Sequence, residues 1–145
     1  MLRNFQCSVN KVFRFPEGDR IISVSRIPIA IEILNKGLVH CELIRHLAPF
    51  STNMLLTNLP IVDRAHKMGK KIIYIETGLS IGAEKQRKRF NRGDMAYMTS
   101  NGSVCVFIED FPATAPMNPI GVVRANLQLL ESTQLGDVIT MKRTS

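Results

Sequence analysis

The chain has 145 residues, of which 45% are hydrophobic and 21% are charged, and these proportions are typical of one globular domain. Its apolar runs are far shorter than the roughly 18 residues of a membrane-spanning helix, so we predict no such helix and no membrane partner. The formal net charge of +7 is compatible with nucleic-acid or other anionic partners but is uninformative about the fold.

The first predicted element is a β-hairpin over residues 10–25. Apolar and polar residues alternate along residues 11–15, a Pro-Glu-Gly-Asp loop follows, and a second strand pattern comes after it. Pro28 separates this hairpin from the rest of the chain. We therefore predict a single domain in which residues 1–27 form an N-terminal extension and residues 28–145 form the main fold.

A second hairpin gives the strongest local pattern in the sequence. Residues 29–34 and 38–44 are apolar strand patterns that flank a short turn. Asn35 and Gly37 in this turn supply the positive φ values that tight turns require. The two runs are therefore predicted to pair directly with each other.

The pattern becomes helical after Pro49. Ser51 or Thr52 is positioned to cap exposed backbone N–H groups, apolar residues then recur at helical spacing, and Pro60 ends the run. These signals predict a short helix over about residues 52–59.

The remaining predicted elements are mostly short apolar strands. The strands lie at residues 71–76, 95–98, 104–108, 120–123 and 138–141. A polar, basic loop is predicted at 77–91, a long proline-containing loop before 120, and a second helix at 124–130. The total of about eight strands and two short helices favours a closed antiparallel β-barrel over a doubly wound sheet.

This order of elements resembles the cyclophilin barrel over about residues 29–143. Asn101-Gly102-Ser103, followed by Phe107, is similar to the cyclophilin segment that enters the phenylalanine-bearing pocket strand, with one additional residue before Phe107. The closer similarity is to a family of small prokaryotic cyclophilin-like proteins of unassigned function, which share the helix start at Pro49-Phe50 and the strand start at Gly93-Asp94. The resemblance implies a mainly β fold, a closed antiparallel cyclophilin-like β-barrel with two short helices, to which the first hairpin is an addition.

The same resemblance raises the question of prolyl isomerase activity. Cyclophilins hold a proline ring in an aromatic pocket and place an arginine against the X–Pro amide, whose uncatalysed barrier is about 18–20 kcal/mol. Here the corresponding strand, residues 72–76, has no basic residue, residues 117–120 contain no histidine, and the chain has no tryptophan. Of the pocket residues, Phe107 is retained. We expect no efficient isomerase activity and assign no catalytic residue, with a peptidyl-prolyl cis-trans isomerase kept as an alternative.

We instead predict a binding module that takes a peptide or a small-molecule ligand in a barrel-side groove. An apolar pocket would supply the affinity, and an adjoining strand edge would orient the ligand. The alternative role for each lining residue is core packing. The predicted lining residues are Phe107, Met98, Tyr97, Tyr74 and Met117.

A run of five cations within eight residues supports a different hypothesis, a protein that associates with nucleic acid. Phe90 lies inside this run and offers a stacking surface next to phosphate-binding charges. An ordinary solvated surface is the competing interpretation. Binding to phosphates must weaken steeply with added salt, whereas apolar peptide binding should not. The predicted basic patch consists of Lys85, Arg87, Lys88, Arg89 and Arg92.

The sequence predicts no metal site and no cofactor. His40, Glu42 and His46 share strand parity, but a polar outer strand face explains them, because zinc sites need three or four convergent ligands. His66 falls in a polar stretch and is predicted to be solvated. No glycine-rich phosphate loop is present. The cysteines lack paired spacing and the first residues contain no apolar signal core, which predicts reduced thiols and a cytoplasmic location.

Overall fold

The computed structural model describes residues 25–144. The hairpin predicted over residues 10–25 therefore lies outside the described residues, apart from Ser25. Within the described range no helix has the length and apolar character needed to cross a membrane.

The described chain folds mainly into β-strands. The ten strands are β1 (Arg26–Ile33), β2 (Gly37–Ile44), β3 (Ile61–Arg64), β4 (His66–Met68), β5 (Ile72–Glu76), β6 (Arg87–Phe90), β7 (Asp94–Met98), β8 (Ser103–Phe107), β9 (Phe111–Ala125) and β10 (Val138–Arg143). A 3-10 turn (Arg45–Leu47) precedes helix α1 (Pro49–Asn58), and helix α2 (Leu127–Glu131) lies between β9 and β10.

The strands form one antiparallel sheet that curls into a nearly closed barrel. Its order is β3-β10-β1-β2-β9-β7-β8-β5-β4, and β6 pairs with β9 outside this path. The two end strands, β3 and β4, are separated in the chain by Ala65 alone, so the first and last strands of the path meet. At this seam the Asp63 carboxylate accepts a hydrogen bond from the Glu76 backbone N–H at 2.8 Å. The predicted fold class is confirmed.

Alternate strand residues fill the barrel interior with apolar side chains. The interior set includes Ile29, Ile31 and Ile33 of β1, Val39, Cys41 and Leu43 of β2, Ile73 and Ile75 of β5, Met95 and Tyr97 of β7, Val104 and Val106 of β8, and Ile139 and Met141 of β10. A cavity among these side chains has a volume of about 10 Å³, close to the lower limit for one water molecule. This cavity is therefore too small for a ligand.

The second predicted hairpin and the first predicted helix both form, but the helix is capped differently from the prediction. The β1–β2 hairpin is confirmed, and Asn35 and Gly37 have φ values of 68° and 143°. Helix α1 begins at Pro49, earlier than predicted, and neither Ser51 nor Thr52 caps it. Both of these side chains lie inside the first turn and are buried.

The first turn of α1 is capped from a distant segment, by Glu84. Its carboxylate accepts the backbone N–H groups of Phe50 at 2.9 Å and Ser51 at 2.7 Å, and the Ser51 hydroxyl at 2.8 Å. Partial burial raises the pKa of Glu84, but these hydrogen bonds outweigh it and hold the pKa below the usual value. A carboxylate at a helix N-terminus is also stabilised by the helix dipole.

Asn118 completes this network and fixes the segment before β6. Its amide group donates to the Ser51 hydroxyl at 3.0 Å and to the Gly82 carbonyl at 2.9 Å, and its carbonyl oxygen accepts the Glu84 N–H at 2.9 Å. Asn118 is fully buried, and buried polar groups need hydrogen-bond partners. These three bonds provide partners for both its amide nitrogen and its carbonyl oxygen. The part of the predicted basic loop around Glu84 is therefore held against α1 and β9.

Two of the predicted loops are wrong in part, because β6 and β9 are strands. Residues 87–90, placed in the basic loop, pair with the start of β9. The proline-containing loop is the first half of β9, in which Pro116 lies where the pairing with β6 is interrupted and Pro119 lies next to a second irregularity. Prolines are tolerated in strands at such irregular positions. The second helix starts at Leu127, later than predicted, because β9 continues to Ala125.

Candidate functional site

A second apolar cluster lies on the outer face of the barrel. Along β5, β7 and β8, the residues that alternate with the interior set point to the opposite face of the sheet. Strand β6 and the first half of β9 cover this face. The buried members of this outer-face cluster are Ile72, Phe90, Ala96, Cys105, Phe107, Ala113 and Met117, with Tyr74, Met98 and Phe111 partly buried against them.

Stacked phenylalanines form the centre of the outer-face cluster. The rings of Phe90 and Phe107 lie 4.6 Å apart between centroids, with an interplanar angle of 16°. Phe107 is 0% exposed, because Phe90 of β6 lies against it. A ligand therefore reaches Phe107 only if the β6 segment moves.

The predicted groove residues divide between the two faces of the sheet. Phe107, Met98, Tyr74 and Met117 are brought together in the outer-face cluster. Tyr97 instead belongs to the barrel interior, where its hydroxyl donates a hydrogen bond to the Leu79 carbonyl at 2.8 Å. Burial raises the pKa of this hydroxyl.

An open cleft borders the outer-face cluster where β6 ends and β9 begins. It has a volume of about 320 Å³, within the usual range for ligand sites. The polar side chains that line it, Arg89, Asn91 and Asp110, are exposed, and Phe111 is half-buried. The residues that line this cleft are Arg89, Phe90, Asn91, Asp110, Phe111 and Pro112.

Two cations lie over aromatic rings of this region. The Lys71 ammonium nitrogen is 4.8 Å from the centre of the Phe111 ring, and the Arg87 guanidinium carbon is 5.0 Å from that of Phe90. Each contact is of cation–π type, worth about 0.5–1 kcal/mol at an exposed site. These charges help to hold Phe111 and Phe90 at the edge of the cleft.

The five residues of the predicted basic patch are not equally available for a ligand. The Lys85 ammonium donates to the His46 carbonyl at 3.0 Å, Arg87 pairs with Asp94 at 3.4 Å, and Arg92 pairs with Glu131. Lys88 and Arg89 are exposed and form no ion pair with any residue that the structure describes. Two cations of the five therefore have no ion-pair partner among residues 25–144 and can meet an anionic group of a ligand.

The outer face of β5 lacks the positive charge that prolyl isomerisation uses. Ile72 and Tyr74 face the cluster, and Glu76 follows them at the strand end. Cys105 on the neighbouring strand is also not reactive, because burial raises the pKa of its thiol to about 12.

His40, Glu42 and His46 do not form a ligand set, because β2 ends at Ile44 and His46 lies in the 3-10 turn that follows. Glu42 is paired with Arg124 at 2.9 Å and with Arg26 at 3.3 Å. The Arg124 hydrogen bond is the largest influence on its pKa, which is lowered. Glu42 is therefore held as an ion-pair partner on a polar strand face.

Comparison with known proteins places this geometry in a family. The model of the cyclophilin-like family matches residues 50–140, more than half of the sequence. The chain belongs to the cyclophilin-like family. The matched range contains both the outer-face cluster and the cleft. A comparison with curated protein sequences gives no match.

Solved structures share the cyclophilin-like barrel at low sequence identity. The solution structure of a hypothetical protein from Archaeoglobus fulgidus has a TM-score of 0.71 and 20% identity, covering 83% of this chain and 96% of that chain. The structure of McbB in complex with tryptophan has a TM-score of 0.67 and 16% identity, covering 81% of this chain and 45% of McbB. At these identities the similarity shows the fold alone.

Proposed function

We propose that this cyclophilin-like barrel is a binding module that holds an extended, acidic peptide in the cleft beside Phe90, without efficient prolyl isomerisation. One observation is the basis of this proposal: Phe90 covers Phe107, and an open cleft lies next to Phe90. The aromatic surface that a ligand can reach is therefore displaced from Phe107 toward the start of β9.

The cleft combines the features that peptide sites use. Phe111 and Pro112 offer a partly exposed apolar surface. Strand β6 pairs with β9 and with no other strand among residues 25–144, so its second edge faces no described strand. An extended peptide can add backbone hydrogen bonds at such an edge, while apolar pockets select its side chains.

The unpaired charge on β6 favours an acidic ligand. Asp110, the one carboxylate among the cleft residues, already accepts a hydrogen bond from the Arg92 backbone N–H at 2.7 Å. Lys88 and Arg89 lie on β6 without ion-pair partners among the described residues, and Arg89 lines the cleft. A carboxylate of the peptide would pair with these cations. Nucleic acid is the less supported alternative, because the other three cations of the basic patch are already engaged by protein groups.

The peptide site is tested with two synthetic, fluorescein-labelled octapeptide mixtures that have valine, phenylalanine and proline at alternate positions. One mixture has glutamate between them and the other has lysine. We expect fluorescence anisotropy to show binding of the glutamate mixture, with affinity about tenfold lower for Phe111→Ala and for Arg89→Glu, because each change removes one anchor of the cleft. The lysine mixture should bind more weakly than the glutamate mixture.

The matched control for this experiment is Phe50→Ala, which removes a phenylalanine ring that is 55% exposed on α1. It should leave the affinity unchanged. Equal affinity of wild type and Phe111→Ala for the glutamate mixture would contradict the proposed site. Binding of the glutamate mixture that disappears with moderate salt and is unchanged in Phe111→Ala would favour the nucleic-acid alternative.

A further inference from the structure

A group of three potential metal ligands lies at the barrel seam, apart from the cleft. Asp63 of β3, His66 of β4 and Glu76 of β5 each offer one ligand atom, and these atoms all lie within 4.8 Å of one another. The three residues come from consecutive strands where the sheet closes. The described residues contain no other group of three such ligands.

The separation of these atoms suits a small transition-metal ion. Zinc bonds of roughly 2.0–2.2 Å in a tetrahedral arrangement put neighbouring ligand atoms roughly 3.3–3.6 Å apart. The Asp63 Oδ2 and His66 Nε2 atoms are 3.1 Å apart in a hydrogen bond, which a metal ion bound to both atoms would replace. The Glu76 carboxylate is exposed and has an oxygen within 4.8 Å of both atoms.

Two of the three side chains are held in place by the protein. The His66 ring stacks on Tyr74, with centroids 5.1 Å apart and an interplanar angle of 18°. The Asp63 carboxylate is fixed by the Glu76 backbone N–H. The structure therefore corrects the expectation of a solvated His66 in a loop: its side chain is 35% exposed and its Nε2 faces Asp63.

The carboxylates of this group have no lysine or arginine partner among the described residues, although the protein is basic. The chain has 19 lysines and arginines. Among the described residues, however, neither Asp63 nor Glu76 forms an ion pair with any of them, and Asp63 pairs with His66. The neighbouring Arg64 instead donates to the Gly136 carbonyl at 3.2 Å. Two carboxylates thus meet one imidazole with no lysine or arginine to neutralise them.

An unsatisfied hydroxyl lies next to the group. Ser103 is the cross-strand partner of Glu76 in the β5–β8 pair, so both side chains are on the same face of the sheet, with Cβ atoms roughly 4.5–5.5 Å apart. Ser103 is 0% exposed, and its Oγ has no hydrogen-bond partner among the described residues. Buried hydroxyls are normally paired. A ligand carboxylate turned inward, or a metal-bound water, would supply that partner.

We propose that Asp63, His66 and Glu76 bind a divalent transition-metal ion of the zinc type, with water in the fourth position and the Ser103 hydroxyl supporting the Glu76 carboxylate. One imidazole nitrogen and two carboxylate oxygens form a ligand set that zinc accepts. Ligands with an ordered outer shell bind metal more tightly than those without one. The site is independent of the peptide cleft.

The test is isothermal titration of Zn²⁺ into the full-length, tag-free protein, with Co²⁺ absorption spectra as a second readout. We expect one Zn²⁺ per chain, and at least about tenfold weaker binding for His66→Gln and for Glu76→Gln. The Co²⁺ complex should show the intense visible bands of a four-coordinate site. His40→Gln, which changes an exposed histidine on β2, should retain wild-type affinity. Circular dichroism confirms that each variant is folded.

Two results would overturn the metal site. One is the absence of Zn²⁺ binding to wild type at millimolar concentrations. The other is binding that His66→Gln and Glu76→Gln both leave unchanged, since the ion would then be held elsewhere.

Discussion

Replacing Gly121 with alanine is expected to destabilise the protein by about 3–5 kcal/mol, enough to unfold much of a marginally stable domain. A Cβ atom at this position would lie 2.1 Å from the Glu42 carbonyl oxygen and 3.0 Å from the Leu43 Cα. Gly121 pairs with Leu43 of β2 on one side and Met95 of β7 on the other. Because the clash is with backbone atoms, only separation of β9 from β2 relieves it. Urea denaturation measures the change.

The control for this prediction is Gly82→Ala. A Cβ atom at Gly82 meets nothing within 4 Å, and its φ lies outside the left-handed region. This variant should match the wild-type free energy of unfolding or slightly exceed it, because alanine reduces the entropy of the unfolded chain. If Gly121→Ala also matches wild type, the described approach of β9 to β2 is incorrect.

Replacing Phe107 with alanine is expected to lower the free energy of unfolding by about 3–5 kcal/mol. The ring is fully buried in the outer-face cluster, and its stacking partner Phe90 would lose its contact surface. Aromatic pairs contribute about 0.5–1.5 kcal/mol beyond their buried area. Thermal unfolding followed by circular dichroism, together with urea denaturation, measures the loss.

Phe50→Ala again provides the comparison, because it removes the same side chain from an exposed position on α1. Its free energy of unfolding should stay within about 0.5 kcal/mol of wild type. A similarly small loss for Phe107→Ala would show that Phe107 is accessible to solvent and that Phe90 does not cover it.

The sequence was sufficient where local chemistry decides the structure. Asn35 and Gly37 identified the first described hairpin, because few other residues adopt their positive φ values. The apolar runs in β5, β7, β8 and β10 likewise identified strands. In these elements the pattern along the chain and the packing in the barrel require the same residues.

The sequence was insufficient where distant segments decide the structure. The sequence of strand β6 predicts a basic loop, because its first three residues are exposed cations and Phe90 alone is buried. The strand that pairs with it, β9, begins 21 residues after Phe90 and shows no local signal of the pairing. The cap of α1 comes from Glu84, 33 residues after Ser51, so no capping motif shows it. Phe90, the single apolar residue in the basic run, was the available signal that this segment packs against the barrel and covers Phe107.

The seam group was also hidden from a sequence pattern. Asp63 and His66 lie in strands β3 and β4, which are too short and polar to show alternation. Glu76 ends the next strand. The three residues come together only because the barrel closes at this point, which no local spacing encodes. Tyr97 differs from these residues, because alternation along β7 already places it on the face opposite Met98, so the sequence was enough to separate the two.

We propose that the barrel side binds a peptide at the cleft while Phe107 stays covered. The most direct measurement is NMR of ¹⁵N-labelled protein with an acidic, proline-containing octapeptide, recording protein amide shifts and the cis–trans exchange of the peptide in one sample. We predict shifts at Phe90, Asn91 and Phe111, with exchange remaining at the uncatalysed rate of tens to hundreds of seconds. Accelerated exchange that is lost in the folded variant Phe107→Leu, or shifts confined to another part of the barrel, would contradict it.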